Sequence, residues 1–275
     1  MSFIAACIQM NSTEDVAENI AAAAPLVGEA IARNATLILL PENCFSMRRE
    51  GMAGGGSYLT QSHPGILWAQ HIAAQHNIYL LPGSIRAEVA GEALPLNRSV
   101  LVAPTGILAT YDKLHLFDVQ LPDGTEYKES ARMGYGKHPV LVRTPLAALG
   151  LTICYDLRFA ALYHALAQAG AEIFTVPSAF TRPTGKAHWE VLLRARAIEN
   201  GAYLLAPAQC GEHPGGRTTH GHSMIIDPWG RILAEAGGDD PCVISAEIDG
   251  AKVKEARAQI PVLAHGRGYD AVKIL

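Results

Sequence analysis

The stretch at residues 149–159 (LGLTICYDLRF) constrains this chain more than any other. Residues 149–153 are apolar and favour a buried strand, and residues 159–169 contain no helix breaker and predict a helix. Cys154 is therefore predicted at the carboxyl end of a strand, on a sharp turn where open α/β sheets place functional residues. A free cysteine is more often a small buried apolar residue, but the polar neighbours Asp156 and Arg158 argue against that interpretation here.

Composition and charge argue against several classes of partner. The net charge is −4, and the 22 lysines and arginines form no basic patch, so neither nucleic acid nor an anionic membrane is expected as a partner. The five cysteines are widely spaced and include no C-x-x-C pair, which predicts reduced thiols in the cytosol. Residues 3–8 form a short apolar run without a basic flank, so we expect a first strand rather than a signal peptide, and no run is long enough to span a bilayer.

The first half of the chain has the pattern of alternating strands and helices. Ser12 and Thr13 are expected to cap a long helix, and Pro25 is expected to kink or divide it. The glycine-rich residues 51–57 lack the following G-K-S/T of a phosphate-binding loop and predict a mobile loop. The predicted elements are a strand at 4–9, a helix at about 14–34, a strand at 36–40, a helix at 65–76, a strand at 78–81 and a strand–turn–strand at 100–109.

The second half repeats this plan. Residues 99–106 (SVLVAPTG) are echoed by residues 223–230 (SMIIDPWG). The further matches pair residues 77–82 with 200–207 and residues 39–42 with 175–178. Because three matches occur in the same order, we predict an internally duplicated α/β fold with two sheets packed face to face and helices outside.

The helix predicted at 159–169 is apolar on nearly every side. A surface helix needs only one apolar stripe. We therefore expect this helix to cover its own sheet and also to contact another subunit, which predicts a homodimer.

Three residues of complementary chemistry are candidates for one site: Cys154, Glu42 and Lys113. A cysteine nucleophile needs a base, and Glu42, at the end of its own strand, suits that role because an apolar cleft raises the pKa of a carboxylate. Lys113 and the Tyr155 N–H suit the oxyanion of a tetrahedral intermediate. Glutamates after strands and lysines in such turns are usually solvated, so the hypothesis depends on the three meeting in space.

The motifs around these residues resemble the nitrilase, or carbon–nitrogen hydrolase, superfamily. Glu42 in LLPE, Lys113 in YDKLHLFD and Cys154 in ICYDLRF are similar to its Glu-Lys-Cys triad, and Glu129 in YKES to a second glutamate beside the lysine. The resemblance runs nearly end to end and implies one domain over residues 1–275 with a four-layer αββα sandwich. It also implies dimerisation through helices that include the one after the cysteine, with a tail from about residue 260 packing on the dimer. Neither a cofactor nor a metal is implied.

Within the superfamily, Cys154-Tyr155-Asp156 resembles the amidase branch rather than nitrilases, which carry Cys-Trp-Glu. The resemblance implies hydrolysis of a small linear amide through a thioester. Motifs between residues 177 and 265 favour deaminated glutathione, an ω-amide of a 2-oxo acid, over 2-oxoglutaramate or 2-oxosuccinamate. The expected substrate-binding residues are Tyr155, Arg158, Phe180 and Thr181. Arg158 suits a substrate carboxylate, and an ion pair with Asp156 or a nearby glutamate is its alternative role.

Three other interpretations remain open at this point. Cys210 and His213 form a possible papain-like pair, although no matching signature surrounds them. His213, His220 and His222 form a possible zinc site, although H-E-x-x-H is absent. Alternatively, the chain is a non-catalytic interaction module on an amidase fold. Against this, the three triad positions and the position of the second glutamate are all filled.

Overall fold

The computed structural model describes residues 2–48, 56–121, 124–268 and 273. Most of the loop predicted at 51–57 lies outside the described residues, so that prediction has no outcome here. The described strands are β1 (Ser2–Gln9), β2 (Ala35–Leu39), β3 (Tyr58–Leu59), β4 (Tyr79–Leu81), β5 (Ser84–Glu88), β6 (Leu96–Ala103), β7 (Gly106–Asp112), β8 (Asp118–Gln120), β9 (Glu126–Lys128), β10 (Val140–Arg143), β11 (Ala148–Leu151), β12 (Ile173–Thr175), β13 (Tyr203–Ala206), β14 (Cys210–Glu212), β15 (Thr218–His220), β16 (Met224–Ile226), β17 (Ile232–Glu235) and β18 (Cys242–Asp249).

Three of the described α-helices lie within a few residues of the predicted ones, and no bounds were predicted for the other three. The α-helices are α1 (Val16–Ala32), α2 (Pro64–His76), α3 (Ala160–Gln168), α4 (Arg182–Asn200), α5 (Gly250–Gln259) and α6 (Val262–His265). Short 3-10 helices lie at Thr60–Ser62, Glu129–Ala131 and Cys154–Arg158. None of the described helices combines the length and the apolarity needed to cross a bilayer.

The two larger sheets share one strand plan, which confirms the predicted duplication. Their strand orders are β18-β1-β2-β4-β6-β5-β3, with β7 also paired to β6, and β10-β11-β12-β13-β16-β17. In each sheet three parallel strands have an antiparallel strand on one side and an antiparallel hairpin on the other. Leu80 pairs with Val102 in the first sheet, and Leu204 pairs with Ile226 in the second. Leu204 is displaced from Leu80, and Ile226 from Val102, by the same number of residues that separates SMIIDPWG from SVLVAPTG.

The side chains of β1 point alternately into the two buried layers on either side of its sheet. Ala5 and Cys7 belong to a buried cluster that includes the second sheet and the inner faces of α3 and α4. Ala6 and Ile8 point the other way and pack under α1 and α2. Because successive side chains of a strand face opposite sides of the sheet, this pattern gives the predicted αββα order of layers.

The predicted cap of α1 is wrong, and the helix is not divided at Pro25. Asp15 is the cap, and its carboxylate accepts the Glu18 N–H at 2.9 Å. The Ser12 hydroxyl instead donates to the Cys44 carbonyl at 2.8 Å. The helix continues through Pro25, which lies on its exposed face, where water can satisfy the carbonyl that the proline leaves without a donor.

Gly83, which follows β4, generates the first prediction. Gly83 has φ +58°, and a Cβ there would lie 1.7 Å from the Pro41 carbonyl oxygen, beside the loop that carries Glu42. Gly91 also has a positive φ, +83°, but a Cβ there would meet nothing within 4 Å. We expect Gly91→Ala to cost about 1–2 kcal/mol of unfolding free energy, from backbone strain alone. Gly83→Ala should cost about 1–3 kcal/mol more, because it also overpacks the loop.

Urea unfolding of the two variants measures this difference. Equal destabilisation would show that the close approach to Pro41 does not constrain the loop.

Candidate functional site

Cys154 lies on a strained turn. Strand β11 ends at Leu151, and the 3-10 helix Cys154–Arg158 begins at the cysteine itself. The φ of Cys154 is +47°, in the left-handed region that costs a non-glycine residue about 1–2 kcal/mol. Its N–H donates to the Pro177 carbonyl at 3.0 Å, which ties the turn to the loop after β12. The sulfur is therefore held in one direction, at the end of the strand, as the sequence predicted.

The carboxylate of Asp156 holds this turn in place. Its carboxylate is fully buried and accepts the Ile153 N–H at 2.9 Å, the Tyr111 hydroxyl at 2.7 Å and the His115 Nδ1 at 2.7 Å. These bonds connect the cysteine turn with β7 and with the loop after it. Asp156 therefore positions the nucleophile candidate and is not an ion-pair partner of Arg158.

Glu42 reaches the site from the loop after β2 and is almost completely buried. Asn43, the next residue, has φ +55°, and its N–H donates to the Ser84 hydroxyl at 3.1 Å, so the backbone turns sharply there. The Glu42 carbonyl accepts a hydrogen bond from the Gln209 side chain at 3.1 Å. Because Gln209 belongs to the second half, the position of Glu42 depends on both halves of the chain.

Lys113 lies between two carboxylates. Its Nζ donates to Glu42 Oε1 at 2.8 Å and to Glu129 Oε2 at 2.9 Å, and its side chain is 2% exposed. The Phe117 N–H donates to Glu129 Oε2 at 2.7 Å and orients that carboxylate. Burial by itself would lower the pKa of Lys113, but the Glu129 and Glu42 charges outweigh it and hold that pKa well above its ordinary value. Lys113 therefore stays charged.

Cys154 and Glu42 line the same cavity, and each group shifts the pKa of the other. Burial, followed by the Glu42 charge, raises the pKa of Cys154 well above its ordinary value. Lys113 and the Ala179 N–H lower this pKa, but by less. Burial favours a raised pKa for Glu42 too, but Lys113, the Cys154 thiol and Arg217 together hold it below its ordinary value. The expectation of a raised Glu42 pKa is therefore wrong, because the cleft contains an ammonium ion. In the resting site a protonated thiol faces an ionised carboxylate.

Sequence reasoning missed Asn97, on β6. Its amide nitrogen donates to Glu42 Oε1 at 2.9 Å and to Glu129 Oε1 at 3.2 Å, so it connects the two carboxylates that hold Lys113. Asn97 is 2% exposed. The available signal was a polar residue inside the strand LNRSVLVA, which is otherwise mostly buried.

A cavity of about 580 Å³ lies over Cys154 and is lined by both halves of the chain. The predicted residues Tyr155, Phe180 and Thr181 line it. Within the described part of the chain the Tyr155 N–H has no hydrogen-bond acceptor, so it remains available to a ligand. The charged side chains of the lining are Glu14, Asp15, Glu42, Arg48, Arg86, Lys113, Lys128, Glu129, Arg132 and Arg217.

Arg158 does not line this cavity. Its guanidinium lies 5.5 Å from the Phe180 ring centroid and 5.9 Å from that of Tyr155, and it hydrogen-bonds to His188 Nδ1 at 3.3 Å. Neither predicted role is seen: Arg158 does not face the ligand space, and it pairs with no carboxylate among the described residues. Its place is behind the two aromatic rings that do line the cavity.

The rival cysteine and histidine sites lie away from the cavity lining. Burial raises the pKa of the Cys210 thiol to about 12. The two ring nitrogens of His213 are engaged by the Ser12 carbonyl at 3.0 Å and the Thr219 hydroxyl at 2.7 Å. The His220 and His222 rings stack with centroids 4.5 Å apart. The described residues contain no group of three or more metal-ligating side chains.

The proton arrangement at Cys154 generates a second prediction. We expect Glu42→Gln to make Cys154 more reactive toward iodoacetamide, because the Glu42 charge raises the pKa of the thiol. Removal of a charge at this distance changes a pKa by about one to three, and the less basic thiolate is also a weaker nucleophile. At pH 8 the net expectation is alkylation about three- to thirtyfold faster.

Mass spectrometry of the Cys154 peptide measures the rate, with Glu126→Gln, an exposed glutamate of β9, as the control. An unchanged or slower rate in Glu42→Gln would contradict the proposed charge balance.

Known proteins match this chain over nearly its whole length. Residues 4–258 match the model of the carbon–nitrogen hydrolase family. The chain is 44% identical over 269 residues to the deaminated glutathione amidase of Synechocystis, covering 96% of this chain and 97% of that protein. It is 40% identical over 275 residues to the protein of the same name from Rattus norvegicus, covering 97% of this chain and 83% of that one.

Solved structures share the fold. The Caenorhabditis elegans NitFhit protein superposes with a TM-score of 0.86 at 36% identity, covering 97% of this chain and 65% of that chain. Nit3 of Saccharomyces cerevisiae superposes with a TM-score of 0.84 at 27% identity, covering 95% of each chain. With its buried cysteine, glutamate and lysine at one cavity, this chain belongs to the carbon–nitrogen hydrolase family, whose members hydrolyse carbon–nitrogen bonds other than peptide bonds.

Proposed function

We propose that this carbon–nitrogen hydrolase acts on deaminated glutathione and releases a 2-oxo acid and Cys-Gly. The observation that carries the chemistry is the Lys113–Glu42 contact at 2.8 Å in the cavity that Cys154 also lines. The relatives that bear the name deaminated glutathione amidase support the substrate.

In the first step Glu42 takes the thiol proton as the Cys154 sulfur attacks the amide carbon, and an S–C bond forms. The ionised Glu42 of the resting site suits this role because a base must be unprotonated at the working pH. The high pKa of the thiol suits it too, since the proton leaves only as the new bond forms.

The negative oxygen of the tetrahedral intermediate needs donors that are already in place. Lys113 supplies a full positive charge, and the Tyr155 N–H supplies a backbone donor beside the sulfur. Glu129 and Asn97 hold Lys113 and Glu42 in position, so they are positioning residues in this scheme. Removal of one oxyanion donor typically costs about 10²- to 10³-fold in kcat.

Glu42 then passes its proton to the amine nitrogen as the C–N bond breaks, which leaves a thioester on Cys154. Water enters, gives a proton to Glu42 and attacks the thioester carbon. The C–S bond breaks, and Glu42 returns the proton to the departing sulfur. One carboxylate thus serves as base and acid in alternation, and the site ends as it began.

The size of the cavity bears on the substrate. A volume of about 580 Å³ lies within the range of cavities that hold drug-sized ligands. It exceeds what the five-carbon amide 2-oxoglutaramate requires and accommodates an additional dipeptide. A general ω-amidase on 2-oxoglutaramate or 2-oxosuccinamate is the second candidate, because these amides share the acyl portion of the substrate.

We also propose a homodimer. Helix α3 buries Leu162 and Leu166 but exposes Ala161 and Ala165, so its outer face is small and largely apolar. Helix α4, which packs against α3, exposes Val191 and Ile198. The segment after residue 260 lies beside this surface, where the Gln168 side chain donates to the Leu263 carbonyl at 3.0 Å. A second copy that covers α3 and α4 accounts for these exposed apolar side chains.

A cytosolic location is part of the same proposal. All five cysteines are free, and Cys7, Cys44, Cys154 and Cys210 are buried as thiols. Unpaired cysteines in this number are typical of reducing compartments.

The substrate proposal predicts an order of kcat/KM values. We expect deaminated glutathione to exceed 2-oxoglutaramate by about tenfold or more, as extra contacts to the leaving group allow, and a simple nitrile to be inert. Cys154→Ala should fold normally and lose on the order of 10⁴-fold or more in kcat.

Steady-state assays of released amine and acid measure these values. Comparable rates for the two amides would point to a general ω-amidase. Hydrolysis by Cys154→Ala at the parental rate would contradict the catalytic scheme, and a wild type inactive on every amide would favour the interaction module.

The dimer proposal predicts that Ala165→Glu shifts the protein toward monomer, because it places a charge on the outer face of α3. Ala22→Glu makes the same change at an exposed position of α1 and should leave the assembly unchanged. Sedimentation velocity at micromolar concentration measures both. A wild type that sediments only as monomer would contradict the proposal.

A further inference from the structure

Three arginines line one wall of the cavity: Arg48, Arg86 and Arg132. They come from the loop after Glu42, from β5 and from the segment after the 3-10 helix Glu129–Ala131. We name these three residues the arginine cluster. All of them belong to the first half of the chain, which also carries Glu42, whereas Cys154 belongs to the second half.

Arg86 lies next to the catalytic candidates. In the antiparallel β5–β6 ladder it pairs directly with Asn97, whose amide holds Glu42 and Glu129. Directly opposed residues point to the same face of a sheet with Cβ atoms about 4.5–5.5 Å apart. The Arg86 Nη1 contacts the sulfur of Met133 at 3.5 Å. Arg86 therefore extends along the cavity wall from the site of chemistry.

No described carboxylate compensates the charge of Arg86. Among the described residues Arg86 forms no ion pair with a carboxylate, whereas Arg98, on the paired strand, binds Asp112 through two bonds of 2.7 and 2.8 Å. Burial, followed by the charges of Arg48 and Arg132, lowers the pKa of Arg86. A half-buried cation beside two like charges is unfavourable unless an anion joins it.

No carboxylate of the described cavity lining, Glu14 included, forms an ion pair with Arg86. Glu42 and Glu129 bind Lys113, and Asp15 caps α1. Among the described residues Arg86 thus places an unpaired positive charge in a cavity whose proposed substrate carries two carboxylates. A guanidinium fork matches a carboxylate with two parallel hydrogen bonds.

We infer that the arginine cluster, with Arg86 at its centre, is a carboxylate-binding subsite that selects amides bearing a carboxylate group. This inference rests on the proposed function and adds its recognition residues. It transfers the role expected of Arg158 to a different wall of the cavity. The carboxylate is either that of the 2-oxo acid or that of the terminal glycine, and the experiment separates these two sources.

The test compares Arg86→Met with Arg86→Lys and with Arg143→Met. The Arg143 control removes the same charge from an exposed position on β10. We expect Arg86→Met to lower kcat/KM for deaminated glutathione about 10- to 100-fold, mainly through KM, as loss of a charged hydrogen bond implies. Arg86→Lys should recover part of this loss, and Arg143→Met should match the wild type. For propionamide, which has no carboxylate, Arg86→Met should change kcat/KM by less than about threefold.

Product inhibition assigns the source of the carboxylate. If inhibition by 2-oxoglutarate weakens in Arg86→Met, the subsite holds the 2-oxo acid, and if inhibition by Cys-Gly weakens, it holds the glycine end. Either result supports the inference. Unchanged inhibition by both products would overturn it.

Thermal unfolding separates recognition from a structural role. Because Arg86 is repelled by its neighbours, Arg86→Met without ligand should melt at the same temperature as the wild type or higher. A lower melting temperature, together with an equal loss on propionamide, would overturn the inference and indicate packing. A wild type inactive on deaminated glutathione but dependent on Arg86 for 2-oxoglutaramate would refute the proposed substrate and leave the inference standing.

Discussion

The buried ammonium of Lys113 is the interaction on which the site depends. Two carboxylates and one ammonium share a space from which water is largely excluded, and the distances of 2.8 and 2.9 Å allow no rearrangement without loss of a charged hydrogen bond. A charge removed from water is costly unless it is paired. Each member of the group therefore requires the others, and Asn97 donates a hydrogen bond to each of the two carboxylates. The same charge sets the proton arrangement at Cys154, because it keeps Glu42 ionised while Glu42 keeps the thiol protonated.

The site exists only where the two halves of the chain meet. The first half contributes Glu42, Lys113, Glu129 and Asn97, and the second half contributes Cys154. The halves are joined beside the site by backbone bonds from Met10 to the Ala208 carbonyl at 3.3 Å and from Cys210 to the Met10 carbonyl at 2.8 Å. The Gln209 side chain extends this junction to Ser12 and to Glu42. The two halves thus form similar sheets, but they contribute different residues to the site.

Left-handed backbone conformations occur at both strand ends that carry the reacting groups. Cys154 has φ +47°, and Asn43, beside Glu42, has φ +55°. Such conformations persist only when the surroundings over-determine them. Asp156 at the first turn, and Ser84 and Gly83 near the second, supply the hydrogen bonds and the space that do so. The stability lost at these turns is the cost of directing a thiol and a carboxylate toward one point.

Much of this protein is determined locally, and the sequence by itself determines that part. Strand and helix periods, the repeated motifs and the placement of Glu42 and Cys154 at strand ends all depend on neighbours a few residues away, and they are confirmed within a few residues. The cap of α1 was mistaken because Ser12, Thr13 and Asp15 are all suitable caps, and only the contact of Ser12 with the Cys44 carbonyl distinguishes them.

The tertiary structure alone decided the charges and contacts that act across space. Lys113 meets Glu42 across 71 residues of chain, which turned an expected rise in the Glu42 pKa into a fall. Asn97 enters the site through strand register, and Arg158 leaves it because its side chain passes behind two rings. Electrostatic energy depends on distance and burial, and neither is contained in the order of the residues.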